Sequence, residues 1–235
     1  MYPLTKDRPK ALLPVVGKPI IDYIIEALEK VPEIENIYIV TNEKFLSDFK
    51  DWQRTYNSKK EILCLSDGTI SNETRLGAIG DIKFIIEKVR IIDDLIVIAG
   101  DNLFTFDITD FVKFFKKKGI SVAVHDVQDT QLIKKYNEVR LDDENRIISF
   151  IEKPSRPQTT LAAICMYIFP RKKLPLIHKY IDEGNNTDEP GRYIEWLYKC
   201  EDVFGYIFSE PWFDIGDLKQ YNHANKEFIK LNRVD

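Results

Sequence analysis

Short apolar runs and helix-period segments take turns along the first hundred residues, and that alternation restricts the fold more than any other property of the chain. Ile20, Ile21, Ile24, Ile25 and Leu28 recur at helical spacing behind Pro19, a residue suited to a first turn, which predicts a helix over 19–31. "IYIVT" (37–41) reads as a short buried strand, a helix is expected near 43–56, and "EILCL" (61–65) reads as the next strand. A helical stretch at 78–88 leads to the strongest apolar run, "LIVIAG" (95–100). Strand and helix in turn predict a parallel or mostly parallel sheet covered by helices on both faces.

The later segments "ISVAVHDV" (120–127), "NEVRLD" (137–142), "RIISFIEK" (146–153) and "LAAICMYIF" (161–169) read as strands. Their shorter polar connections predict hairpin-like additions to the main sheet. Helices fit 171–182, 191–199 and 217–231, and "VFGYIF" (203–208) reads as a last strand. No repeat, low-complexity stretch or linker marks a boundary, so residues 1–235 are expected to form a single domain. With 44% hydrophobic and 31% charged residues, the chain has the balance of an ordinary soluble globular protein.

The 34 basic and 38 acidic side chains leave a net charge of -4, which argues against a surface for wrapping nucleic acid and leaves room for a local anion site. Cys64, Cys165 and Cys200 are odd in number, widely spaced and without a C-x-x-C pair; buried thiols in a reducing cytoplasm are expected. No stretch approaches the roughly 18 apolar residues of a membrane span, and the N-terminus carries no signal-like core, so no membrane association and a cytoplasmic location are expected.

Five segments could carry chemistry. The opening "MYPLTKDRPKALLPVVGKP" sets Lys6, Arg8, Lys10 and Lys18 among Pro3, Pro9, Pro14 and Pro19, and "RPKALLPV" fixes Lys10 between two prolines and leads it straight into apolar sequence. A compact ammonium so placed can neutralise phosphate oxygens; the other lysines suit a solvated surface. In "IAGDN" (98–102), Asp101 sits past the end of the most apolar strand, where open α/β sheets bind ligands. Its carboxylate could hold Mg²⁺ between protein and phosphates, or simply turn the chain. "WFDIGD" (212–217) offers Asp214 as a second carboxylate and Asp217 as either a ligand or an N-cap. "FIEKP" (150–154) ends a strand with Glu152 and Lys153, as ligand contacts or a surface ion pair. "RLGAIGD" (75–81) lets the backbone approach a planar base or a phosphate closely.

Taken in order, "YPLTKDRPKALLPVVGKPIIDY", "LGAIGD", "IAGDN", "IEKP", "MYIF" and "WFDIGD" resemble the sugar-phosphate nucleotidyltransferase family, which includes glucose-1-phosphate thymidylyltransferases and mannose-1-phosphate guanylyltransferases. The resemblance runs from the first residue to about Tyr221. It implies a nucleotidyltransferase fold with a Rossmann-like mixed, mostly parallel sheet. Lys10 matches the family's phosphate-binding lysine, and Asp101 and Asp214 match its Mg²⁺ pair. Lys153 matches the lysine at the sugar phosphate and Glu152 the acid at the sugar hydroxyls, while Gly77 would lie along the nucleobase and Asn102 and Tyr167 at the substrate. The implied partners are a nucleoside triphosphate and a sugar-1-phosphate, with homo-oligomer formation left open. In-line phosphoryl chemistry suits this inventory, since positioning and charge neutralisation need no side-chain nucleophile, and His125, His178 and His223 lie outside every motif. A phosphocholine-type cytidylyltransferase and a non-catalytic nucleotide- or sugar-binding homologue are the rival readings.

Two departures stand out. In the family a strand and a G-x-G-T-R loop precede "YPLT", whereas this sequence opens at that point, so a shortened chain of impaired activity is expected, from an internal start, a cloned fragment or a natural loss. A gap filled by another segment, a partner chain or rearranged strands should follow, because unpaired buried backbone groups cost on the order of 1 to 3 kcal/mol each. Cys165 stands where the family commonly has glycine, which leaves the sugar's identity open.

Overall fold

The structure, a computed structural model, describes residues 1, 4–71 and 73–231. Tyr2 and Pro3 of the opening motif lie outside the described residues. In chain order the elements are Pro14–Val15 (β1), Lys18–Pro19 (β2), Ile20–Glu29 (α1), Asn36–Thr41 (β3), Leu46–Thr55 (α2) and Glu61–Ser66 (β4). Ala78–Lys88 (α3), Leu95–Ile98 (β5), Asn102–Phe104 (β6), Ile108–Lys118 (α4), Ser121–Asp126 (β7) and Thr130–Ile133 (α5) follow. Asn137–Leu141 (β8), Ile147–Glu152 (β9), Leu161–Phe169 (β10), Pro175–Asp182 (α6), Pro190–Leu197 (α7), Phe204–Phe208 (β11), Trp212–Asp214 (β12) and Leu218–Leu231 (α8) complete the chain. They gather into two compact units, one of Met1–Ser71, Ala99–Ile108 and Glu210–Asp235, the other of Asn72–Ile98 and Thr109–Ser209.

In the first unit α1 turns Ile20, Ile21, Ile24, Ile25 and Leu28 inward, the stripe its spacing predicts, and packs on β6. Strands β3 and β4 run parallel from Asn36 opposite Glu61 to Thr41 opposite Ser66. Strands β6 and β12 run antiparallel, with Asn102 opposite Asp214 and Phe104 opposite Trp212. The β1–β2 hairpin turns through Val16, a β-branched residue at φ +49, and α8 ties it down. Asn225 Oδ1 accepts from Val16 N at 2.9 Å, and the Tyr221 hydroxyl donates to the Pro14 carbonyl.

The second unit is built on a four-stranded sheet in the order β11-β7-β10-β5. Strand β7 runs parallel to β11 and antiparallel to β10, which in turn runs antiparallel to β5. With a neighbour on each edge, β7 buries Ser121 through Val124 in succession, the continuous burial of an interior strand. Val122, Val124, Phe150, Tyr167 and Phe169 meet Ile177, Tyr180 and Tyr193 in one core. Strands β8 and β9 form an antiparallel hairpin, and α7 packs on β9 and β10.

The chain is thus mixed α/β, and most predicted elements lie within a residue or two of their expected bounds. Helices α4 and α5 and strands β6 and β12 add to that reading. The pattern of α4 was legible, since Ile108, Phe111 and Phe115 recur at helical spacing and are all buried. Strands β6 and β12, three residues each, are too short to show a period. The apolar run 95–100 ends as a strand at Ile98, because Asn102 N bonds to the Ala99 carbonyl and turns the chain. Among the described residues β3 pairs with β4 alone and β5 with β10 alone, so no segment fills a place beside either. Of the thiols expected to be buried, only Cys64 is: Cys165 is half-buried and Cys200 exposed, since Cys200 falls in the turn that follows α7.

Strand β10 is irregular between Ala163 and Tyr167, where its pairing to β7 shifts register. Asn137, 7% exposed, repairs the ladder there: its Nδ2 donates to the Ala163 carbonyl at 3.0 Å and its Oδ1 accepts from Ala163 N at 2.7 Å. Asn137→Ala would strand both groups in the core, and an unsatisfied buried group costs about 1–3 kcal/mol. A loss of about 2–4 kcal/mol, read as a lower urea midpoint at unchanged slope, is the expected result. A midpoint equal to that of the parent chain would refute this role.

Candidate active site

Lys10 opens a short 3₁₀ turn over Lys10–Leu12 that follows Pro9. Ala11 and Leu13 are drawn into the core, at 9% and 4% exposure, which leaves the Lys10 side chain at the unit's surface. Its Nζ donates to Asp101 Oδ2 at 2.8 Å, with each side chain about a third exposed at 32% and 30%. Asp101 stands in the turn between β5 and β6, and its carbonyl accepts from Ile215 N at 3.1 Å. That bond extends the β6–β12 ladder, so Asp214, opposite Asn102, stands at the same end of it. The sequence placed Lys10, Asp101 and Asp214 in three distant segments; the fold brings them into one unit.

The neighbours of these residues have supporting places. Asn102 is 3% exposed, and its Oδ1 accepts from Trp212 Nε1 at 2.8 Å, which locks β6 to β12. Asp217 is the N-cap that one of its two readings foresaw: its Oδ1 accepts from Gln220 N at 2.8 Å, while Gln220 Oε1 accepts from Gly216 N and Asp217 N at 3.0 Å each. This reciprocal arrangement is a capping box for α8.

Two carboxylates suit a hard divalent cation such as Mg²⁺, which takes one or two protein oxygens and completes its shell with water and phosphate. Among the described residues no group of three or more His, Cys, Asp or Glu side chains is arranged to hold a metal. A cation on Asp101 and Asp214 would therefore rest on these two alone, and the residues present fit that demand.

In the second unit Glu152 ends β9, and Lys153 follows it at φ +49 with its N–H bonded to the Tyr136 carbonyl at 2.8 Å. Lys153 Nζ donates to Glu189 Oε1, and Arg192 Nε donates to Glu189 Oε2 at 2.7 Å. The two hydrogen bonds hold the Glu189 carboxyl below the usual carboxylate range. Glu152 goes the other way: burial foremost, then the charge of Glu189, pushes its carboxyl up to about 7. Its Oε2 is buried and has no hydrogen-bond partner among the described residues. Glu189, Gly191 and Arg192 were missed in the sequence, although glycine just after Pro190 at the start of a helix was an available signal.

Gly77 and Tyr167 also lie in this unit. Gly77, at φ +79, precedes α3, and a Cβ there would stand 2.5 Å from the Thr187 carbonyl oxygen. Its freedom lets the start of α3 press against the 187–188 backbone, where Ile79 N bonds to the Thr187 carbonyl at 2.9 Å. Tyr167 is 2% exposed, a core ring packed against Phe169. Cys165 lies half-buried in the irregular stretch of β10.

The chain belongs to the nucleotidyl transferase family, whose sequence model matches residues 1–230. It is 32% identical to the bifunctional protein GlmU of Methanocaldococcus jannaschii over 236 residues, 99% of this chain and 52% of that protein. It is 29% identical to the UTP–glucose-1-phosphate uridylyltransferase of Synechocystis over 234 residues, 94% of this chain and 58% of that protein. The chain thus spans a little over half the length of these curated relatives. Its fold is that of a UDP-glucose pyrophosphorylase solved with UDP-glucose, with a TM-score of 0.81 and 21% identity over 98% of this chain and 94% of that one. Among the described residues no helix is long and apolar enough to cross a membrane.

Proposed function

We propose that this chain transfers a nucleotidyl group from a nucleoside triphosphate to a sugar-1-phosphate, as one nucleotidyltransferase domain over residues 1–235. The observation that carries the reading is the Lys10–Asp101 pair at 2.8 Å, at the end of the ladder that also bears Asp214. An oxygen of the sugar-1-phosphate attacks the α-phosphorus, the bond from that phosphorus to the bridging oxygen breaks, and pyrophosphate leaves with the electron pair. Lys10 neutralises phosphate oxygens, and Lys153 holds the phosphate of the acceptor while Glu152 binds its hydroxyls. Mg²⁺, when bound by Asp101 and Asp214, supplies charge neutralisation at the triphosphate. Gly77 is assigned to the base. The buried Asn102 and Tyr167 serve this reading as supports for the residues that touch substrate.

The reading is tested by pyrophosphate release with Mg²⁺ across the four common nucleoside triphosphates. Acceptors are glucose-1-phosphate, mannose-1-phosphate, N-acetylglucosamine-1-phosphate and phosphocholine. Turnover that requires both a triphosphate and a sugar-1-phosphate is expected. Turnover with phosphocholine alone would replace the reading with that of a cytidylyltransferase. Binding of a nucleotide sugar without turnover would replace it with that of a binding homologue.

A further inference from the structure

Glu152 and Gly191 occupy one space. A Cβ built on Gly191 would stand 1.8 Å from Glu152 Oε2 and 2.8 Å from its carboxyl carbon. Gly191 is itself buried in the first turn of α7, so the carboxylate lies directly against a bare stretch of helix backbone. Two residues earlier Glu189 precedes the helix and takes the Lys153 ammonium. One short segment, 189–192, therefore handles both members of the Glu152–Lys153 pair, and Arg192 anchors Glu189 from the next position of the helix.

We propose that the start of α7 is the positioning element of the acceptor subsite: Gly191 leaves the space in which the Glu152 carboxylate is held, and Glu189 occupies Lys153 until the phosphate of an acceptor replaces it. The inference rests on the proposed function only for the identity of the ligand, a phosphate monoester of a polyhydroxylated alcohol. Glu189 matches an acceptor phosphate in its anionic oxygens, so the exchange leaves Lys153 paired in both states and leaves Glu189 on Arg192. With Gly191 in place, Glu152 faces Glu189, Glu195, Lys153 and Arg192, and it also influences Tyr167. Alanine at 191 would force the carboxylate out of its space, and a flexible glutamate can move without disturbing the fold.

Two variants test this. The titration of the Glu152 side-chain carboxyl, followed by carbon-13 NMR and assigned with Glu152→Gln, reads the cradle without any turnover. In Gly191→Ala it is expected to move from near 7 into the ordinary carboxylate range. The KM for glucose-1-phosphate, or whichever sugar-1-phosphate is turned over, should rise roughly tenfold or more while the KM for the triphosphate changes by less than about twofold. The melting temperature should hold or rise, since alanine is the better helix former. Glu189→Gln, nearly identical in shape, should lower the KM for the sugar-1-phosphate by about threefold and weaken its dependence on salt. An unmoved Glu152 titration in Gly191→Ala, an equal rise in both KM values, or an unchanged KM in Glu189→Gln would overturn the proposal. A moved titration with no turnover on any sugar-1-phosphate would leave the cradle standing and sink the reading of function instead.

Discussion

Asp101→Ala is expected to lower the rate of pyrophosphate release at saturating Mg²⁺ by about a hundredfold or more, the scale at which loss of one charge-stabilising group is felt in a transition state. Two effects act together in this variant. The proposed cation keeps only Asp214, and Lys10 loses the oxygen that holds it at 2.8 Å. Kinetics alone would not separate chemistry from misfolding, so the comparison is with Asp217→Ala, three residues beyond the end of β12. Asp217 caps α8 and does nothing else in the proposed reaction. Its loss should cost about 1 kcal/mol of stability and leave kcat within about twofold. Turnover in Asp101→Ala within about threefold of the parent would sink the metal assignment, because a lost cation ligand cannot be so mild.

Glu152→Gln should separate function from stability. In the folded chain Glu152 keeps its proton up to about pH 7, whereas an unfolded glutamate releases it near 4.5. Between those values the folded state binds the extra proton, so this group's contribution to stability falls as pH rises from 4.5 to 7 and stays at its lower level above. The loss is on the order of 2 kcal/mol, discounted because the carboxyl is only partly buried and sits beside two cations. Glutamine cannot ionise. The variant should match the parent chain below pH 4.5 and surpass it above pH 7, by several degrees in melting temperature. Over the same alkaline range its KM for the sugar-1-phosphate should rise about tenfold or more, with the KM for the triphosphate nearly unchanged. A more stable protein with poorer acceptor binding is hard to reach by damage to the fold. Equal pH dependence of stability in both chains would show that the Glu152 carboxyl is not held protonated.

The residues of the candidate site were legible to unequal depth. Lys10 stood out because prolines and apolar sequence confine it, Asp101 because it lies past the end of the most apolar strand, and Asp214 because it lies between two aromatics and a glycine turn. Their convergence was not legible, since Lys10 and Asp101 are 91 positions apart and meet only through the packing of the 3₁₀ turn against the β5–β6 turn. Asn102 and Tyr167 belong to the motifs, yet their burial gives them the work of holding Trp212 and filling the core. Glu189, Gly191 and Arg192 were not singled out, because the local signal in "DEPGRY", a glycine just after a proline, does not say that a carboxylate from residue 152 will lie against that backbone.

Helix α3 occupies 78–88 as its spacing demanded, and α1 buries the five residues its period selected. Such features follow from the chain alone because periodicity is a property of neighbouring residues, set by the geometry of the helix and the strand. Strand direction is different in kind. Whether β10 runs with or against β7, and where its register slips, depends on which edges meet, and Asn137 reconciles the result from 26 residues away. The upward shift of the Glu152 carboxyl to about 7 is likewise a tertiary property, set by burial and the charge of Glu189 outweighing Lys153 and Arg192. The chain by itself determined the elements and the chemical inventory; the packed structure decided which of those groups touch and which of them carry a charge.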